Sequence, residues 1–368
     1  MYIVIGAGII GASVAYSLSR AGAPVTIVDF GRPGSGTSGA TFAWVNSHNK
    51  KPRAYHDLNV AGMQAHAWLR AQFDAAPWWH DGGSIEWEAG DPVAYRNKIG
   101  QLQQWGYKVQ WLDHAQVNAL APDLDVSSIG DAPVAYFAED GWVDPPVYCQ
   151  ALLAAAQRNG ARVLSDVRVV GLQRHGARVT GIVTEQGTVI EGDMVINCTG
   201  RWADQPALSA GQSIPMAPSA GLMVFTPSLA HSLDRVIFSP EVHIRPDGAG
   251  RLLICRNDLE VAPDAAPVNH LLDVRRLLQA AARVLPLLKG VEAEALRVGV
   301  RALPVDGFPA VGPAPDVAGY YSVVTHSGVT LAPFLGEAAA DEILNGVQRP
   351  ELASFRASRF TASSPSSH

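Results

Sequence analysis

The sequence predicts an α/β fold in which a parallel sheet carrying a dinucleotide-binding unit is interrupted by an inserted lobe. Three observations predict it. Residues 1–29, MYIVIGAGIIGASVAYSLSRAGAPVTIVD, read as one strand–turn–helix–strand unit. Residues 161–200 return to the same grammar and end in the buried run VINCTG. Between them, from Trp78 to about Phe137, the periodicity turns irregular.

In the first unit Tyr2 to Ile5 is a short apolar strand, Gly6-x-Gly8-x-x-Gly11 the turn, Ala12 to Arg20 the helix and Val25 to Val28 the second strand. Gly6 permits the tight turn, Gly8 lets backbone approach a pyrophosphate, and Gly11 lets helix and strand pack closely. A diphosphate then sits on the free N–H groups around Ile9 and Ile10, where the helix dipole favours negative charge. Asp29, with Phe30 beside it, ends the second strand, where a carboxylate accepts hydrogen bonds from a ribose 2′-hydroxyl. An acid there repels a 2′-phosphate and argues against NADP. The unit by itself serves NAD or FAD equally.

The chain is long enough for one large or two intimately joined domains. Hydrophobic residues make up 48% and charged residues 17%, with a net charge of −6. That balance has no basic footprint, which excludes nucleic acid and anionic membrane as expected partners. No window has the apolar length of a spanning helix, and the N-terminal apolar run is broken by glycines at strand length, unlike a secretion signal. Cys149, Cys198 and Cys255 lack any CxxC spacing and read as buried free thiols, so a cytoplasmic location is expected.

After Asp29, Gly31 to Ala40 is too glycine-rich for regular structure. It reads either as a surface loop or as a cofactor wrap offering Ser35, Thr37 and Ser38 to phosphate oxygens. Asn46 and His48, close behind, are candidates for the reactive end of the cofactor, against packing roles. Residues 55–73 read as a helix with Leu58, Ala61, Ala65, Trp68 and Leu69 on one face. Residues 82–88 read as a strand, Tyr95 to Trp105 as a helix, and 146–158 as a helix after Glu139-Asp-Gly-Trp-Val-Asp-Pro145. Strands follow at 161–164, 167–172, 178–185 and 188–191, the last two a hairpin around Gln186-Gly187. Residues 220–226, 235–245 and 251–256 are β-like. Asn269 can cap a helix carrying Leu271, Val274, Leu278, Ala281 and Leu285. A strand at Tyr320 to Val324 precedes a helix from about Pro333 to Asn345, stopped by Gly346. The Ser-rich tail after Phe360 is expected to be disordered.

Five separated stretches then agree with one family. The N-terminal unit, the GTSGA loop, residues 139–145 with their helix, residues 160–200, and GVRALPVDGFPAVG with THSGVTLAP resemble the FAD-dependent amine and D-amino acid oxidoreductases, the group of glycine oxidase, sarcosine oxidase and D-amino acid dehydrogenase. The resemblance spans nearly the full length. It implies a Rossmann-like FAD-binding lobe from residues 1–77, 140–214 and 299–368, and a discontinuous, mainly antiparallel β-sheet substrate lobe from 78–139 and 215–298. It also implies Val169 near the adenine, Thr199 and Gly200 near the pyrophosphate or ribityl chain, and Gly328, Val329, Thr330 and Leu331 along the flavin. A helix starting just after Gly328 points its positive end at charge developing on reduced flavin, worth up to about 2 kcal/mol.

By the same resemblance Arg301 is the main substrate-binding candidate, its planar fork suited to a carboxylate. The segment reads Gly-Val-Arg-Ala-Leu-Pro, so proline does not follow the arginine directly, and a structural Arg301–carboxylate pair is the alternative. Arg245 is the reserve. His326 reads either as a flavin neighbour or as a loop-bonding residue. The implied reaction moves hydride from an amine Cα–H to flavin N5, giving an imine that water hydrolyses to a keto acid and ammonia or an amine. Oxygen or a quinone-type carrier would be the acceptor. No metal-ligand spacing is present. Two rivals stand beside this reading: oxidation of a 2-hydroxy acid, and a flavoprotein subunit that needs a partner. A homo-oligomer is compatible with the sequence. Trp44, Trp78, Trp79 and Trp87 read as core or as an aromatic pocket for a bulky or cationic substrate.

Overall fold

The computed structural model describes residues 1–360, so the tail beyond Phe360 lies outside the described residues. A six-stranded sheet runs in the order Ala310–Pro313, Tyr320–Val324, Met194–Asn197, Tyr2–Ile5, Val25–Val28, Arg162–Leu164. Every pairing is parallel except that of the outermost Ala310–Pro313 strand. The first strand is central: Tyr2 pairs with Val25 on one side and Met194 on the other. Such a sheet is covered on both faces, which is why its strands are continuous Val and Ile runs. Val4 and Ile27 pack under the helices Ile9–Arg20, Pro145–Arg158 and Gly328–Asn345. Ile3, Ile5 and Val28 face a three-stranded antiparallel sheet built from Val169–His175, Arg178–Thr184 and Val189–Glu191.

A second sheet of eight strands uses residues 84–137 and 220–300. Its pairings are antiparallel except that of Val236–Phe238 with Ser84–Glu86. The mainly antiparallel sheet expected in the inserted stretches is therefore present. The helix Leu271–Val284 packs on it through Val274, Leu277, Ala281 and Val284. Asn269 does not cap this helix; it lies in a short 3-10 turn, with His270 at the cap position, and Leu271 is exposed. A small sheet of Trp44–Val45, Gly141–Val143 and Trp79–His80 lies between the two large ones in sequence.

Several helices differ from their sequence-based bounds, and two of them bear on the site. The last one spans Gly328–Asn345 with Pro333 inside its first turns, and Gly346 ends it in the left-handed region at φ 69°. Proline cannot donate to the Val329 carbonyl four residues back, and it is tolerated because a side chain from the second helix takes that acceptor instead. The second helix spans Arg53–Arg70, and its buried face is Leu58, Gly62, His66 and Leu69, while Trp68 stands exposed. Gly62 is needed because a Cβ there would lie 2.5 Å from the Thr330 carbonyl oxygen. His66 Nε2 donates to the Val329 carbonyl at 2.8 Å. The first turn of the Gly328 helix is thus clamped by backbone contact and one imidazole.

That clamp makes the protein acid-sensitive. Burial, helped by the Arg70 charge and opposed by the Val329 bond, lowers the His66 pKa from 6.5 to about 4. The unfolded chain binds the proton below about 6.5 and the folded chain resists it, so stability falls as pH drops from 6.5 towards 4, by up to about 3 kcal/mol. His66→Gln is expected to lose less melting temperature than the parent on going from pH 7 to about 4.5. Equal losses would assign the acid sensitivity to other groups.

Candidate functional site

One cavity of about 730 Å³ crosses the carboxyl ends of the parallel strands and continues to the second sheet. Its size falls in the range of roughly 300–1,000 Å³ of ligand pockets, and its place is where open α/β sheets bind ligands.

The glycine turn forms one end. Gly6 adopts φ +99°, and a Cβ on Gly11 would lie 1.8 Å from the Gly6 carbonyl oxygen. Gly11 is therefore behind the wall, as a packing glycine, while Gly6, Gly8, Ile9 and Ile10 line it. Asp29 lines it too. Its two oxygens accept from the Ala7 N–H at 2.6 Å and the Gly31 N–H at 2.8 Å. Burial raises the Asp29 pKa against these two bonds. A carboxylate has about four acceptor sites, so sites remain for a ligand hydroxyl. Phe30 meets Trp202 edge-on at 5.1 Å, with the Arg168 guanidinium 4.8 Å above Phe30. Val169, Thr199 and Gly200 complete this end.

The Gly31 to Ala40 loop lies on the cavity and is no detached surface loop. Ser35, Thr37 and Ser38 all line it, yet each hydroxyl already bonds protein: Ser35 Oγ donates to the Arg32 carbonyl, Thr37 Oγ1 to the Val300 carbonyl, and Ser38 Oγ accepts from the Ile9 N–H at 3.0 Å. Ser38 holds the loop against the turn, Thr37 ties it to the strand Ala295–Val300, and Ser35 closes it on itself. A Cβ on Gly8 would crowd Ser38 Oγ at 3.1 Å.

Midway, the Gly328 helix opens its N-terminus onto the same cavity beside Ile9 and Ile10. Gly328, Val329 and Thr330 line it; Leu331 does not, since its side chain is fully buried in the core against the second helix. Two helix N-termini, a glycine cradle and a carboxylate at the strand end fit an extended dinucleotide, with the diphosphate at the first helix and a ring able to gain negative charge at the second.

The far end is walled by Phe42, Trp44, Asn46, Lys50, Met223, Arg301 and His326. Arg301 reaches the cavity and also carries a structural pair: Nη1 donates to Ser219 Oγ at 2.7 Å and to Glu260, and Nη2 to the Asn257 carbonyl. The structural carboxylate pair given as the alternative is thus present, on a residue that also lines the cavity. The His326 side chain stands exposed at the cavity, and desolvation by the surrounding wall, followed by the charges of Lys50 and Arg301, lowers its pKa to about 4, so it is neutral at pH 7. Arg245 lies away from the cavity wall, buried, donating to the Phe42 carbonyl and lying 4.6 Å over Trp142.

His48 is a correction. It lies behind Trp44, fully buried, with Nδ1 2.9 Å from Glu86 and Nε2 3.5 Å from Asp140. Burial would raise Glu86, but His48 and Lys98 bring its pKa down to about 2. Burial raises Asp140 to about 6 despite His48 and donors from Tyr107, Ser84 and Trp44. His48 thus braces the Trp44 wall and does not touch the cavity. Of the four tryptophans singled out, only Trp44 lines the cavity; Trp78 and Trp87 are core. Lys50 was not foreseen. It follows an ordinary polar run, and a lysine without a pattern reads as surface.

A glycine-turned parallel sheet with one cavity from its strand ends to a second sheet defines a dinucleotide-dependent oxidoreductase built on two domains. The family model for FAD dependent oxidoreductase matches residues 1–342, and the chain belongs to that family; its cofactor is FAD. Hydrogen cyanide synthase subunit HcnC of Pseudomonas aeruginosa is 25% identical, covering 97% of this chain and 95% of that protein. Glycine oxidase of Bacillus licheniformis is 25% identical over 98% of this chain and 97% of its own. In fold, the chain matches L-proline dehydrogenase of P. horikoshii with a TM-score of 0.86 at 21% identity, covering 98% and 97% of the two chains. Glycine oxidase of Geobacillus kaustophilus gives the same TM-score at 23% identity over 97% and 98%. Among the described residues no helix is long and apolar enough to cross a membrane.

Proposed function

We propose that this enzyme oxidises the C–N bond of an amino acid or secondary amine. The observation that carries the reading is Arg301, on the wall of the cavity that begins at the glycine turn, its guanidinium oriented from behind by Glu260, Ser219 and the Asn257 carbonyl. A guanidinium so fixed loses little freedom on binding a carboxylate, and offers a planar fork that matches it. FAD, when bound, supplies the two-electron acceptor for the substrate carbon.

The chain supplies the rest. Arg301 anchors the substrate, and Phe42, Trp44 and Met223 form an apolar wall that excludes water. Trp44 is held rigid because its indole N–H donates to Asp140 at 3.1 Å. Neutral His326 can hold a proton on the wall without repelling an approaching amine cation. The relatives named glycine oxidase support an amino acid as substrate. The relative named as a hydrogen cyanide synthase subunit favours, as a second reading, a flavoprotein that works with a partner. A 2-hydroxy acid would use the same anchor, and only an amine substrate releases ammonia or an amine.

Anaerobic addition of D- and L-amino acids, N-methylated amino acids and 2-hydroxy acids to the yellow protein is expected to bleach its visible bands with one amine class, with ammonia or amine in the product. A 2-hydroxy acid as the only bleaching class would move the reaction to C–O bonds. No bleaching by any of them would favour the partner-dependent subunit. Bleached protein mixed with oxygen, and separately with a quinone, identifies the acceptor.

A further inference from the structure

The charged side chains on the cavity wall are Asp29, Arg168, Lys50 and Arg301. Asp29 braces the glycine turn, and Arg168 stacks over Phe30 at that same end. The other end therefore presents two cations and no carboxylate. Arg301 has Glu260, but Glu260 is absent from the cavity wall and its side chain is 55% exposed, so it holds one edge of the guanidinium from the water side. Lys50 has no carboxylate partner among the described residues. Its nearest notable neighbour is the Tyr55 ring, 5.7 Å from Nζ, and the Tyr55 hydroxyl in turn meets Ser327 just before the Gly328 helix. Lys50 thus stands at the substrate end, close to the helix that opens onto the cavity.

An ammonium partly withdrawn from water without a partner is costly, and Lys50 is half-buried on this wall, where desolvation lowers its pKa to about 8. The positive charges of Lys50 and Arg301 both reach His326 and oppose its protonation. A monocarboxylic amine anchored on Arg301 would leave Lys50, which has no carboxylate of its own, unpaired. An amine with two carboxylates would compensate both. We propose that the substrate is a dicarboxylic amine, an acidic amino acid or an N-carboxyalkyl amino acid, with one carboxylate on Arg301 and the second on Lys50. This rests on the proposed oxidation of an amine in this cavity.

The test uses FAD-loaded protein and carboxylates that cannot react, acetate and succinate, with dissociation constants read from the perturbation of the visible flavin spectrum. Succinate is expected to bind at least about tenfold more tightly than acetate. Lys50→Met should abolish that preference while leaving acetate within about threefold, and Lys50→Arg, which keeps the charge, should retain it. Equal affinities for acetate and succinate in the parent protein would overturn the proposal. So would a loss of acetate binding in Lys50→Met as large as the loss of succinate, since Lys50 would then hold the only carboxylate. The flavin content of each variant shows that it has folded, and the parent comparison stands without them. The two readings fail separately: if the succinate preference behaves as expected but no amine bleaches the flavin, the two-carboxylate site stands and amine oxidation falls. If amines bleach the flavin without any preference for two carboxylates, this inference alone falls.

Discussion

Gly11→Val is expected to purify, if at all, as a colourless protein that FAD does not turn yellow. Even the first carbon of the new side chain would sit 1.8 Å from the Gly6 carbonyl oxygen. Both are backbone positions on opposite sides of the turn, so neither can yield by rotating a side chain. Relief requires moving the helix Ile9–Arg20 off the strand, which opens the cradle and shifts the N–H groups that face the diphosphate. Overpacking of a close contact costs typically 1–3 kcal/mol, and backbone against backbone places this case at or above about 3 kcal/mol. Gly36→Ala is the control. Gly36 also lines the cavity, but its φ is −76° and no atom lies within 4 Å of the added carbon. Its flavin content should match the parent. Absorbance of the purified variants before and after FAD addition decides it; a yellow Gly11→Val would mean that the turn is more plastic than its contacts indicate.

Arg301→Met should keep its flavin and lose most of its turnover. Truncating one partner of a hydrogen-bonded charge pair costs about 2–5 kcal/mol, which predicts a fall in kcat/KM of about two to three orders of magnitude with the best amino acid substrate. The residue left behind, Glu260, is half exposed and readily solvated, so folding should be little affected. Steady-state kinetics with flavin content as the reference separates the roles. A Met variant with unchanged kcat/KM would reduce Arg301 to the structural partner of Glu260.

The first twenty-nine residues are legible, apart from a helix that begins at Ile9 and not at Ala12, because three glycines and a carboxylate have separate backbone jobs that few other residues can fill. The parallel sheet was legible for a related reason: strands buried on both faces leave continuous Val and Ile runs. Errors gathered where tertiary contact decides. Trp68 fits the apolar stripe of its helix by spacing, but Gly62 and His66 take the buried face because the Gly328 helix needs its backbone within reach of Thr330 and Val329. Asn269 is a good cap by residue type, and the chain uses a 3-10 turn there instead. At the site, Arg301 and His326 do line the cavity, whereas His48 lies behind it, since position behind a cofactor loop does not say which side of the wall a side chain takes. Lys50 left no trace in the sequence because its character comes from burial, which one residue in a polar run does not announce.

The central strand has a consequence for how the protein is made. Tyr2–Ile5 cannot complete its pairing until Met194–Asn197 has been synthesised, and the sheet then waits for Tyr320–Val324. The helix that opens onto the cavity comes later still, with Gly336 seated against Ser13 of the first helix. The cofactor cradle is therefore among the first segments to leave the ribosome and among the last to become whole. For most of translation its apolar strands have no partner, a state in which aggregation competes with folding. FAD can be captured only by a nearly finished chain, and a truncation short of the Gly328–Asn345 helix should yield no holoprotein at all.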